Sequence, residues 1–180
     1  MNLGIDCDGV LRDQVKAFTE KYLKEYPEHR NLVKPVTAWD MAQFYPLGKE
    51  IYKLWFGPWV KECMEDAPMF DGAKEFVAEL RRRGHKVFVC TSQPMGTERH
   101  TIAWLDKHQI ERDGIIFANQ KGITHFDVLL DDGEHNLEAV SMNKTLPVCF
   151  DQPWNQNWRD ARVCGKTERE KYESFLRFFV

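Results

Sequence analysis

Along this 180-residue chain, short apolar runs that end in acids alternate with stretches whose apolar positions recur at helical spacing. Asn2 to Asp6 is the first such run, the form of a buried strand whose carboxyl end opens on a polar site. From Asp13 to about Tyr26, Val15, Phe18, Tyr22 and Leu23 fall on one helical face. Residues 27 to 67 differ: Pro27, Pro35, Pro46 and Pro58 punctuate a stretch rich in aromatics, which predicts a small helical insertion. The regular pattern resumes with Asp71 as the expected cap of a helix through Phe76, Val77 and Leu80 that stops at Gly84. Lys86 to Cys90 reads as the next strand, followed by a turn at Pro94 and Gly96 and a helix carrying Ile102, Trp104 and Leu105. Gly114 to Phe117, Asp127 to Leu130 and Leu146 to Phe150 read as further strands, and Thr167 to Val180 as a closing helix. Strands alternating with helices predict an α/β fold with a doubly wound parallel sheet. Residues 1–13 and 68–180 form the expected core, and residues 14–67 a helical cap insertion. Ligands in such sheets bind beyond the carboxyl ends of the strands.

Composition narrows the class. A hydrophobic share of 43% with 29% charged residues excludes a disordered chain. No apolar stretch approaches the roughly 20 residues of a membrane helix, and the residues after Met1 lack the pattern of a signal peptide. Five widely spaced cysteines, an odd number without a C-x-x-C pair, predict neither a disulfide framework nor a zinc site, and fit a reducing cytosol. The net charge of −3 offers no general attraction for nucleic acid. Arg81, Arg82 and Arg83 read as a solvated helix end. His29, His85, His100, His108, His125 and His135 show no metal-ligand spacing, while Glu134, His135 and Asn136 are expected to cap a helix.

Four segments at predicted strand ends collect candidate chemistry. In Asp6-Cys7-Asp8-Gly9-Val10, the strand pleat puts Asp6 and Asp8 on one side and turns Cys7 away. Cys90-Thr91-Ser92 ends an apolar strand in hydroxyls able to donate to a phosphoryl oxygen. Lys121 precedes the next strand with a compact ammonium, and Val128-Leu129-Leu130 ends in Asp131-Asp132. Two acids closing one strand opposite two acids closing another concentrate charge that would be costly without a cation. Hard oxygen ligands favour Mg²⁺.

In this order the segments resemble the four motifs of the haloacid dehalogenase superfamily, and Asp8 points to its phosphotransferase branch. Asp-x-Asp-Gly-Val-Leu, Ala67-Pro68-Met69 to Gly72-Ala73, Val-Phe-x-Cys-Thr-Ser and Asp-Val-Leu-Leu-Asp-Asp are similar to the 5'(3')-deoxyribonucleotidases, as is Asp151 to Gln156. The resemblance implies a Rossmannoid phosphatase whose nucleophile is Asp6, with Asp8 as general acid and base. It implies Mg²⁺ held by Asp6, Asp8 through its backbone carbonyl, and Asp132, with Asp131 ordering its waters or acting behind it. Thr91, Ser92 and Lys121 would bind phosphate. Phe18, Trp39, Phe44 and Tyr45 are expected to form a substrate lid over a nucleoside monophosphate, although the aromatics serve equally as the insertion's own core. Gln14 departs from the family pattern, standing where an aromatic cap residue is expected. Alternatives in view are a phosphatase for sugar phosphates or nucleic-acid 3'-phosphates, and a non-catalytic nucleotide-binding protein. Whether the chain forms a homodimer stays open.

Overall fold

The computed structural model describes residues 1–179. Six strands, β1 (Asn2–Ile5), β2 (Lys86–Thr91), β3 (Gly114–Phe117), β4 (Val128–Asp131), β5 (Leu146–Phe150) and β6 (Arg162–Val163), form one sheet in the order β3-β2-β1-β4-β5-β6. Every pairing is parallel. The chain builds outward from β1 to β3 on one side, then crosses back to place β4 on the other flank of β1. That reversal makes the carboxyl ends of β1 and β4 the switch point of the sheet, where a crevice opens. This is the doubly wound α/β architecture expected from the alternating pattern.

Register explains why the strands read as continuous apolar runs. Leu3 aligns with Val87 and Val128, and Ile5 with Val89 and Leu130, all buried on one face. Helices α3 (Ala73–Arg82), α4 (Glu98–Lys107) and α6 (Glu168–Leu176) cover that face with Phe76, Val77, Leu80, Trp104, Leu105, Tyr172 and Phe175. On the other face, Cys90 and Leu129 pack with Phe126 and with Val140 of α5 (Glu134–Ser141). Gly4 sits where Phe126 crosses β1. A Cβ there would lie 2.5 Å from the Phe126 ring, so a side chain would force the two apart.

Between α1 (Gln14–Glu25) and α3 a second hydrophobic cluster joins Phe18 and Tyr22 to Met41, Tyr45, Ile51, Trp55, Trp59 and Cys63, around α2 (Glu50–Trp55). Phe18 and Trp55 stack with centroids 4.6 Å apart, and the Tyr45 hydroxyl meets Thr19 Oγ1 at 2.6 Å.

Several local readings need correction. Gly72, at φ 88°, begins α3, whereas Asp71 lies exposed and pairs with Arg169 at 3.0 Å. The preference for a carboxylate cap loses there to a left-handed turn that only glycine enters freely. Gly133 begins α5 with no side-chain cap. The last helix ends at Leu176 and continues as a 3₁₀ turn over Arg177–Phe179; Val180 lies outside the described residues. The two-residue strand β6 is too short to carry a period of its own. Arg81, Arg82 and Arg83 do close α3 near the surface, paired with Asp113 and Glu79.

Candidate active site

Asp6 leaves the end of β1 with its backbone N–H donating to Leu130 of β4 at 2.9 Å, so the two strand ends are bolted together at the crevice. Its carboxylate is buried. Oδ1 accepts from the Cys7 N–H at 2.7 Å and faces Lys121 Nζ at 2.8 Å. Burial pushes Asp6 up to about 7, reinforced by the charge of Asp131 and opposed by Lys121. Lys121 reaches in from a 3₁₀ turn, Lys121–Ile123, and is wholly buried. Burial alone would lower it, but the carboxylates of Asp131 and Asp6 hold it well above the usual lysine range. Its ammonium therefore stands behind the Asp6 carboxylate and does not line the open crevice.

The second acid pair divides its tasks. Asp131 Oδ2 accepts from Lys121 at 2.6 Å, while Oδ1 accepts from Gly133 N–H at 2.8 Å and from Asn136 Nδ2 at 3.2 Å. Both its oxygens are thus taken by protein. Asp132 Oδ2 accepts from the Trp154 indole N–H at 2.8 Å, but Oδ1 is buried with no protein partner. Burial first, then the charges of Asp6 and Asp131, raise Asp132 well above the carboxylate range. Carboxylate oxygens of Asp6, Asp131 and Asp132 lie within 4.8 Å of one another. An orphaned buried oxygen beside a second carboxylate, in an all-oxygen set, fits a hard divalent cation.

Gly9 makes this approach possible. At φ 73° it turns the chain sharply, and a Cβ on it would lie 2.1 Å from Asp132 Oδ2. The 151–156 segment then clamps both strand ends: Gln152 Nε2 donates to the Gly9 carbonyl at 2.7 Å and Asn155 Nδ2 to that of Asp132 at 2.9 Å.

Asp8 sits beside Asp6 at the crevice, half-buried. It is gripped by Arg12, whose Nε donates to Oδ1 at 2.7 Å and whose second guanidinium nitrogen donates to Oδ2 at 3.0 Å. Gln93 Nε2 approaches the same oxygen at 3.4 Å. Thr91 is buried at the end of β2 and Ser92 beside it is exposed; both line the crevice.

The crevice opens into a cavity of about 480 Å³. Asp6, Asp8, Thr91, Ser92 and Asp132 supply its polar end, and Val36, Trp39, Met41, Tyr52, Trp55 and Phe56 much of its apolar wall. Of the four side chains expected to form a lid, Trp39 alone borders this space, stacked edge-on against His135 with centroids 4.7 Å apart. Phe18, Phe44 and Tyr45 pack in the aromatic cluster instead, which corrects the lid expectation: Phe18 lies on the buried face of α1, and Phe44 and Tyr45 close a short turn against it. Gln14 borders the cavity as well.

Sequence reasoning overlooked Arg12 and Gln93, singled out the segment Asp151 to Gln156 without giving Trp154 a role, and gave α5 capping roles it does not use. Asn136 holds Asp131, and Glu134 accepts the backbone N–H groups of Asn157 and Trp158. Arg12 carried one signal, a cation four residues after Asp8 within an apolar turn.

The fold is that of solved hydrolases described as haloacid dehalogenase-like, and the acid cluster lies at the switch point of its sheet. A hydrolase of the haloacid dehalogenase-like family from Streptococcus pneumoniae superposes with TM-score 0.68 at 14% identity, over 99% of this chain and 98% of that one. D,D-heptose 1,7-bisphosphate phosphatase from B. bronchiseptica, complexed with magnesium and phosphate, gives TM-score 0.56 at 13% identity over 99% of each chain. The chain belongs to the family described as 5' nucleotidase, deoxy (pyrimidine), cytosolic type C protein, whose model matches residues 1–172. It is similar to 5'(3')-deoxyribonucleotidases of Bacillus subtilis (strain 168), at 25% identity over 94% of this chain and 96% of the relative, and of Clostridium acetobutylicum, at 25% identity over 86% and 84%. Among the described residues no helix is long and apolar enough to cross a membrane.

Proposed function

We propose that this chain is a Mg²⁺-dependent phosphatase that hydrolyses deoxyribonucleoside and ribonucleoside 5'-monophosphates, and the 3'-monophosphates by the same chemistry, through an aspartyl-phosphate on Asp6. The observation that carries this reading is the position of Asp6 and Asp8 between a hard-oxygen cluster and an apolar aromatic cavity. The cluster would hold a divalent cation that offsets the charge of a phosphoryl group, and the cavity suits a neutral nucleoside. Among the described residues no lysine or arginine lines the cavity, which favours one phosphate at its polar end over a substrate charged at both ends. The 5'(3')-deoxyribonucleotidase names of the relatives point the same way.

Asp6 attacks phosphorus, and the bond to the nucleoside oxygen breaks as Asp8 delivers a proton to it. Water then attacks the aspartyl-phosphate, giving its proton to Asp8 and releasing phosphate and the Asp6 carboxylate. Thr91 and Ser92 donate to phosphate oxygens, and Lys121 neutralises charge behind Asp6. Asp6, Asp132 and the Asp8 carbonyl would hold Mg²⁺, with Asp131 fixing Lys121 and the following turn. When bound, the ion neutralises phosphoryl charge and orients the group for in-line attack. Trp39 offers a face for the base. The five unpaired cysteines agree with a reducing cytoplasmic setting.

A phosphate-release panel of deoxyribo- and ribonucleoside 5'- and 3'-monophosphates, beside sugar phosphates and 3'-phosphorylated oligonucleotides, tests the substrate. Turnover that depends on the base supports the reading. Turnover confined to sugar phosphates or oligonucleotide ends contradicts it.

A further inference from the structure

Arg12 is wholly buried, yet it carries a charge and makes four hydrogen bonds. Two go to Asp8, one on each oxygen. One guanidinium nitrogen donates to the Met64 carbonyl at 2.8 Å, in the turn Lys61–Glu65 through which the chain returns from the insertion to the core. The other also reaches Thr101 Oγ1 of α4 at 3.0 Å. Gln93 closes the ring, donating to Thr101 Oγ1 at 2.6 Å and lying 3.4 Å from Asp8. The guanidinium also lies over the Trp104 ring, 5.4 Å from its centroid. A buried cation is costly unless it is paired and hydrogen-bonded, as Arg12 is, and a planar fork fixes the plane of a carboxylate as a lysine ammonium does not.

We infer that Arg12 is a positioning residue that fixes the Asp8 carboxyl group toward the leaving oxygen and ties it to the root of the cap through Met64. The inference rests on the role proposed above for Asp8. The fork takes one lone pair of each Asp8 oxygen and Gln93 faces Oδ2, so Oδ1 keeps a lone pair without a protein donor on a carboxyl group that lines the cavity. Movement of the turn at Met64 shifts Arg12 and hence the proton donor, so chemistry is coupled to the seating of the insertion.

The first step separates orientation of the acid from general damage. Thymidine 5'-monophosphate must expel an alkoxide and needs the proton; p-nitrophenyl phosphate expels a stable phenolate and does not. With enzyme in excess over substrate, release of the leaving group reports that step alone. In Arg12→Lys, thymidine release is expected to slow at least about tenfold while p-nitrophenolate release stays within about threefold of wild type. Thr101→Val, which removes one acceptor of the fork, is expected to shift the ratio in the same direction by a smaller factor. Taking the ratio on a single preparation makes it independent of the folded fraction. Equal losses on both substrates in both variants overturn the role of Arg12 while leaving the nucleotidase reading intact. A well-folded wild type that releases neither leaving group overturns both.

Discussion

The Trp154 indole donates to one oxygen of Asp132 at 2.8 Å and leaves the other buried without a protein partner. A carboxylate held in that way presents a single defined oxygen, and the indole sets which one. Replacing Trp154 with Phe keeps the ring and removes the donor. Outer partners of metal ligands typically carry about 10- to 100-fold of affinity, so Mg²⁺ titration by calorimetry is expected to show a loss in that range. An unchanged affinity would mean that the indole only packs.

Gly9→Ala places a methyl group where Asp132 Oδ2 lies and demands a backbone angle that alanine resists. Displacement of Asp132 by about 1 Å costs on the order of 10²-fold in rate. We expect kcat to fall by that order with Mg²⁺ saturating, measured by phosphate release. Wild-type kcat would show that the two strand ends can separate freely.

The aromatics from α1 up to α3 divide by position, and so should their variants. Phe18→Ala opens a cavity in the cluster beneath α1 and is expected to cost about 3–5 kcal/mol of stability by chemical denaturation. Trp39→Ala, at an exposed edge, is expected to leave stability within about 0.5 kcal/mol and to raise KM about tenfold for nucleotides through lost base stacking. The reverse pattern would move the substrate out of this cavity.

Asp6 supplies a pH signature for the metal-free protein. Its folded value, raised from 3.8 to about 7 by burial and by Asp131, means that the folded state binds more protons than the unfolded state between those limits. Stability therefore declines as pH rises through that window, and Asp132, raised by its own burial and by the charges of Asp6 and Asp131, acts in the same direction. With a chelator present, Tm is expected to be roughly 5 °C or more lower at pH 8 than at pH 5, and Mg²⁺ should restore it most at the higher pH. A Tm that rises with pH under chelation would contradict the burial assigned to Asp6.

The sheet was legible because each buried strand is a continuous apolar run, and the acids because they terminate those runs. Asp6 and Asp8 are two residues apart and Asp131 and Asp132 adjacent, so their grouping needs only strand periodicity to be seen. Some of the partners that orient them are near in sequence, as Arg12 is to Asp8 and Asn136 to Asp131, but others are not. Trp154 meets Asp132 across 22 positions and Gln93 meets Asp8 across 85. Such contacts depend on how loops close over the strand ends, which no period records. Helical spacing placed Phe18 on an apolar face but could not say whether that face met the cavity or the cluster; packing against Trp55 decided it.

Trapping the covalent intermediate tests the central claim most directly. Enzyme quenched during turnover of a deoxyribonucleoside monophosphate with Mg²⁺, reduced with borohydride and mapped by mass spectrometry, is expected to carry homoserine at position 6. Asp6→Asn should carry none and release no phosphate. Reduction at another carboxylate, or full turnover by Asp6→Asn, would contradict the assignment.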